Sequence, residues 1–162
     1  MDYEVERCTR HCAASGRELN EGEEFFSVLQ ADEGAVHRHD YAAEAWTGPP
    51  EGTFAWWKSR MPTREAKHGQ LAPNEVLLSL FYELEQAAGR DDMRYVLSLL
   101  LVRRRVLREE DIEHDDQGHG VLVLYCPRDE TTHRVPVVTP DERRTEEIQA
   151  ELSRLLFADA VG

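Results

Sequence analysis

Long apolar runs are missing from this chain. No stretch approaches the roughly 20 apolar residues that a transmembrane helix needs. The densest run, residues 96–102 (VLSLLLV), is followed at once by Arg103, Arg104 and Arg105. The N-terminus, MDYEVERC, is charged and has no apolar signal-peptide core. Together these absences give the expectation of a cytoplasmic protein with no membrane partner. Cysteine is scarce, at three in 162 residues, an odd number that does not suggest a disulfide framework. Bases are scarce as well: 19 Lys and Arg stand against 32 Asp and Glu, a formal net charge of −13. Such a field repels phosphate backbones, so no nucleic-acid partner is expected. There is no Gly-rich phosphate loop, no G-x-S-x-G elbow and no H-E-x-x-H helix, which removes the commonest catalytic signatures.

What is present is a globular composition, 41% hydrophobic and 31% charged, in a length that suits one domain or one domain with a small appended module. The acidic excess does not mark off a tail. Residues 1–62 hold 6 bases and 12 acids, and residues 63–162 hold the other 13 and 20. The stretch 63–73 (TREAKHGQLAP) is polar and closed by a proline, and reads as a linker. The expected organisation is therefore a small β-rich module over 1–62, a linker over 63–73 and an α+β module over 74–162.

Within the first module, residues 2–8 alternate loosely enough for a short strand. Residues 25–30 (FFSVLQ) and 35–39 form a hairpin about the turn 32–34. Asp40 is placed to cap a short helix, DYAAEAW, stopped by Gly48-Pro49-Pro50. In the second module, Asn74 opens a helix in which Val76, Leu77, Leu80, Phe81 and Leu84 share one face, and Gly89 stops it. A central core helix follows over 91–107, apolar on nearly every side and so expected to be buried on more than one face. Its acids lie at the N-terminus and its arginines at the C-terminus, as the helix dipole favours. A short antiparallel sheet comes next, with strands at 121–125 and 133–138 and a third at 107–113. Asp141 caps a final helix with the stripe Ile148, Leu152, Leu155, Leu156. The order is ααβββα, or ααββα without the third strand, and the fold class is α+β.

Two short motifs face each other across the hairpin. Cys12-Ala13-Ala14-Ser15-Gly16 has the shape of the knuckle C-x-x-C-G with serine at the second cysteine, and Asp40–Trp46 has the shape of D-x-C-x-x-C-W with Ala42 and Ala45 at the ligand positions. The segment 12–46 thus resembles a degenerate zinc ribbon that has lost three of its four ligands, which implies that no metal is held there. A rearranged zinc site is the alternative: Cys8, His11, Cys12, His37 and His39 offer enough sulfur and nitrogen, and His37 and His39, two apart on a strand, share a face. The chain as a whole is similar to an uncharacterised family of small bacterial proteins. That likeness rests on GREL-x-x-GE-x-F-x-S-V-L at 16–29, DYAAEAW-x-GPP at 40–50 and W-K-S-R-x-P at 57–62, and it implies no activity.

Other residues invite a role. Arg103–Arg105 could meet phosphate, but consecutive helical positions scatter around the axis, and Glu109, Glu110 and Asp111 are at hand to pair with them. His114, Asp115, Asp116 and His119 could hold a cation but read first as a polar hairpin turn. Cys126 has no cationic neighbour in sequence to activate it. Phe54, Trp46, Trp56 and Trp57 fit a module core better than a ligand floor. Two functions remain. The preferred one is a non-enzymatic protein-binding or adaptor protein that meets another protein through Trp56, Trp57, Lys58 and Arg60, residue types that anchor interfaces. The other is an enzyme built on His37, His39 and Asp40. Neither needs a cofactor, and the oligomeric state is open.

Overall fold

The computed structural model describes residues 11–32, 35–62, 70–87 and 89–158. It is a mixed α+β structure with three helices among the described residues, none of them long and apolar enough to cross a membrane. The chain divides into two compact units. One is Met1–Val76 with Gln149–Gly162, and the other is Leu77–Ile148. Most of the stretch read as a linker, 63–69, and the strand expected at 2–8 lie outside the described residues.

The first unit is built on an antiparallel sheet of β1 (Glu24–Asp32), β2 (Ala35–Ala42) and β3 (Thr53–Arg60), in the order β2-β1-β3. The expected hairpin is present and longer than its apolar centre, since the pairing runs from Phe25↔Ala42 to Asp32↔Ala35. No helix forms at 40–46. Asp40 continues the strand, and only a single 3-10 turn, Ala43–Ala45, follows. The reason is the period: Val36, Arg38, Asp40 and Ala42 are all buried and alternate with outward residues, so two-residue alternation prevails over the cap signal. A two-residue strand β4 (Gln70–Leu71) pairs with Phe157–Ala158 at the chain's end, and Ala72 N–H donates to Leu156 O.

The second unit takes most of α1 (Asn74–Gln86), all of α2 (Asp91–Arg103) and the sheet of β5 (Arg108–His114), β6 (Gly120–Cys126) and β7 (Thr131–Pro136), ordered β5-β6-β7. The third strand therefore forms, with β5 as an edge. The stripe on α1 is buried as expected. α2 differs from the expectation. It ends at Arg103 rather than near 107, and it buries one side only: Met93, Arg94, Leu97, Ser98 and Leu101 are inside, whereas Leu99 is 46% exposed. Its high apolar content masks an ordinary one-faced helix. A positive-φ residue, Arg105 (φ 63°), turns the chain after it, with Arg105 N–H bonded to Val102 O and Val106 N–H to Leu101 O, the Schellman pattern. The final helix, α3 (Glu142–Leu156), is capped as expected. Asp141 Oδ1 accepts the Arg144 N–H at 2.7 Å, satisfying one of the helix's orphan donors.

Candidate functional site

The register of the first sheet sorts its side chains. Phe26 lies opposite Tyr41 and Lys58, and Val28 opposite His39 and Trp56. Opposed residues share a face, so one face carries Phe26, Val28, Tyr41, His37, His39, Trp56, Lys58 and Arg60. Trp46, just past the 3-10 turn, folds back onto it. Its ring stacks on Phe26 at 4.6 Å between centroids with planes only 2° apart. Trp56 lies 5.6 Å from Trp46, and Tyr41 lies 5.7 Å from it on the other side. Four rings thus form one cluster, ending in a Trp56 that is 48% exposed. Lys58 and Arg60 stand beside it, and both reach Glu24, at 3.6 and 3.1 Å.

The opposite face is closed. Trp57 is buried there, beneath the Arg38 guanidinium at 5.3 Å from its ring centre. Trp57 is thus separated from Trp56, Lys58 and Arg60, with which the sequence grouped it, because neighbours on a strand point to opposite sides. Arg38 Nε donates to Asp40 Oδ1 at 3.1 Å, and Ser27 Oγ donates to the same oxygen at 2.5 Å. Arg38 also donates to the Arg154 and Leu155 carbonyls in the last turn of α3, at 3.3 and 3.4 Å. There a cation meets orphan acceptors and the negative end of the helix dipole. The buried Asp40 charge is therefore spent on structure. His37 and His39 are exposed on the far side of the sheet, so His37, His39 and Asp40 do not form a common site.

Of the positions read from the sequence as ribbon ligands, Cys12, Ala42 and Ala45 fall together, and Ser15 hydrogen-bonds Cys12. Cys12 packs in one buried cluster with Leu19, Phe25, Ala42 and Met61, and Ala45 lies against it. The turn 12–16 is closed by Gly16 N–H to Cys12 O at 2.8 Å, and Ala13 N–H donates to Asp40 O at 2.7 Å. Burial pushes the Cys12 thiol up, but hydrogen bonding from the Ser15 side chain and from the backbone at Ala42, Ser15 and Ala14 outweighs it and holds the thiol below its ordinary value. His11 is exposed, and its backbone pairs with that of Glu18 in an isolated antiparallel bridge. Cys12 belongs with the inner face of the sheet, whereas His37 and His39 are on the outer one. Cys8 lies outside the described residues, and among those described no three His, Cys, Asp or Glu side chains gather to hold a metal.

The second unit brings together a polar group that sequence spacing did not suggest. Tyr82 donates to Asp129 Oδ2 at 2.5 Å, and Cys126 Sγ lies 3.9 Å from the same oxygen. Burial first, and the bond to Asp129 second, push the Tyr82 hydroxyl well above its usual range, so it stays a donor. His133 packs edge-on to Phe81 and at a tilt to Tyr82, with ring centroids 5.5 and 5.0 Å away, and touches Thr131 Oγ1 at 2.8 Å. Arg94 is buried over the Phe81 ring and 3.5 Å from Glu85, and burial lowers its affinity for a proton. Cys126 is fully buried beside a carboxylate, the reverse of an activating environment. Residues 114–119 form the expected exposed turn, with Asp115 accepting the Gln117 and His119 N–H groups. Among the described residues Arg103 and Arg105 form no ion pair with Glu109, Glu110 or Asp111, contrary to the expectation from sequence; α2 ends at Arg103, and Arg105 lies in the turn beyond it.

No protein-family model, no curated protein and no solved structure matches the chain.

Proposed function

We propose that this protein is a non-enzymatic docking module whose first-unit sheet receives an extended segment of another protein on its aromatic face. The observation that carries this is the four-ring cluster of Phe26, Tyr41, Trp46 and Trp56, which leaves Trp56 half exposed on the side of the sheet away from the core. Large, rigid aromatic side chains with few rotors to immobilise are favoured anchors for protein partners. A nucleic-acid partner is less well served. Stacking on rings would be available, but phosphate needs free cations, and Lys58 and Arg60 both lean on Glu24.

The same reading treats the first unit as a metal-free ribbon. Cys12, Ala42 and Ala45 fall in or against one apolar cluster with Leu19, Phe25 and Met61. In that view side-chain packing does the work that a bound ion does in a zinc ribbon, and the sheet it braces presents the aromatic face.

The test is affinity capture from native extract with the wild-type chain, Trp56→Ala and Trp46→Ala, beside anisotropy titrations with single-stranded DNA and RNA at an ionic strength of about 0.15 M. A protein retained by the wild type and weakened by at least about 30-fold in Trp56→Ala, a hot-spot loss, supports the proposal. Equal retention by both chains, or nucleic-acid binding that Trp56→Ala abolishes, rejects it.

A further inference from the structure

Arg94 stands in the first turn of α2 with its side chain only 5% exposed. A guanidinium keeps its charge and carries its N–H donors in a rigid plane, so burial is costly wherever a donor lacks an acceptor. Part of this one is provided for. Nη1 donates to the Arg134 carbonyl of β7 at 3.1 Å, and the guanidinium carbon lies 4.9 Å from the centre of the Phe81 ring on α1. The other edge is not. Nε and Nη2 are buried and have no hydrogen-bond partner among the described residues. These two nitrogens form the side-on edge of the fork, whose parallel N–H bonds fit two oxygens of a carboxylate or a phosphate.

Glu85 of α1 comes to this edge and fits it poorly. Its Oε1 lies 3.5 Å from Arg94 Nη2 and its Oε2 lies 3.6 Å from His133 Nδ1. Both contacts are longer than the roughly 2.7–3.2 Å of an N–H···O bond. One oxygen goes to each side chain, so neither receives a paired contact. The Glu85 side chain is 46% exposed, whereas that of His133 is 11% exposed. His133 Nε2 meets Thr131 Oγ1 at 2.8 Å. A neutral ring that accepts the Thr131 hydroxyl there carries its proton on Nδ1, the nitrogen nearest Glu85. Arg94 Nη2 and His133 Nδ1 thus flank the Glu85 carboxylate, with Arg94 Nε beside Nη2 on the same edge of the fork. All of these residues belong to the second unit.

We propose that Arg94 and His133 form a binding site for a small oxyanion, a carboxylate or a phosphate group, and that the Glu85 carboxylate stands in for that ligand in the free protein. Arg94 Nε and Nη2 take two of the ligand's oxygens side by side, and His133 Nδ1 donates to one of them as Glu85 turns out to solvent. The site is separate from the aromatic face of the first unit and does not depend on it. A chain of net charge −13 opposes any anion at long range, so selection here rests on the short-range fit of a planar fork. Glu85 and Asp91 are the carboxylates whose charge acts on Arg94. Glu85 is the one in contact with the guanidinium, and its departure lifts the repulsion that an entering anion would meet. An internal occupant of this kind weakens apparent binding by the fraction of time that it leaves the site open.

The test is a titration of the full chain with inorganic phosphate and, separately, with acetate, at an ionic strength held by chloride near about 0.15 M. Binding is followed by NMR through the Arg94 Nε–H and the His133 ring signals. The wild type is expected to show a saturable shift of both. Glu85→Gln, a change at a half-exposed position, removes the internal carboxylate and is expected to bind at least about tenfold more tightly. Arg94→Lys keeps the charge but loses the fork, and is expected to bind at least about tenfold more weakly, read from the His133 signals. A response to phosphate alone or to acetate alone identifies the anionic group that the site takes. If Arg94→Lys is unfolded by circular dichroism, the comparison of the wild type with Glu85→Gln decides. A wild type that saturates with neither anion, a Glu85→Gln chain that binds no more tightly than the wild type, or a folded Arg94→Lys chain that binds as tightly as the wild type would each overturn the proposal and leave the Arg94 donors to water.

Discussion

Arg38 and Asp40 lie two residues apart on the buried face of β2 and join at 3.1 Å with side chains only 3% and 1% exposed. The pair links three parts of the first unit. Asp40 holds Ser27 on the neighbouring strand, and Arg38 covers Trp57 on the strand beyond and reaches the last carbonyls of α3. Removing one partner leaves a buried charge without compensation. Arg38→Met or Asp40→Leu is expected to cost about 3–5 kcal/mol, and Arg38→Met/Asp40→Leu less than the sum of the two, in urea titrations of each chain. Strict additivity would mean that the two side chains act separately.

The positions proposed as former ribbon ligands lend themselves to a test by restoration. Ser15→Cys/Ala42→Cys/Ala45→Cys, together with the native Cys12, is expected to bind about one zinc per chain and to raise the thermal midpoint when metal is present, since four thiolates complete a tetrahedral site. The wild type is expected to carry no stoichiometric zinc. Elemental analysis of both proteins checks this. A restored chain that stays metal-free would show that the four positions do not share ribbon geometry, and a wild type that carries zinc would overturn the metal-free reading.

Truncations along α2 report its one-sided burial. Leu97→Ala, at a fully buried position, is expected to cost about 2–5 kcal/mol, the usual range for a leucine truncated in a packed core. Leu99→Ala, at an exposed one, is expected to change stability by no more than about 0.5 kcal/mol at dilute concentration. Similar losses at the two positions would mean that the helix is buried all round, as its apolar run had suggested.

Asp92 and Arg144 predict a pH dependence. Arg144 Nε reaches Asp92 Oδ2 at 2.6 Å, and this bond, opposed by burial, holds the carboxyl below the usual range. A depressed carboxylate contributes stability above its unfolded value of about 3.9, and that contribution is lost as pH falls through the folded value. Wild type and Arg144→Met should therefore differ by on the order of 1 kcal/mol near neutrality and converge toward about pH 2. A gap that persists unchanged into acid would assign the loss to packing rather than to charge.

Local pattern alone determined much of the architecture. The β1–β2 hairpin, the buried stripes of α1 and α3 and the Asp141 cap each rest on residues within a turn or a strand of one another, where a period of two or of 3.6 leaves a trace. The run at 96–102 shows the limit of that information. Being apolar throughout, it has no phase, so only packing against particular neighbours decided that Leu97 and Leu101 go inside and Leu99 outside. Trp56 and Trp57 look alike as a pair until the register of β3 on β1 gives one to solvent and the other to Arg38. Contacts between distant parts of the chain leave no periodic mark at all. Arg38 meets α3 across 116 residues and Tyr82 meets Asp129 across 47; Cys12 joins Ala42 in one cluster from the far side of a hairpin. Each depends on where the chain is brought back, and only the tertiary structure decides that, because it alone settles which groups meet once water is excluded.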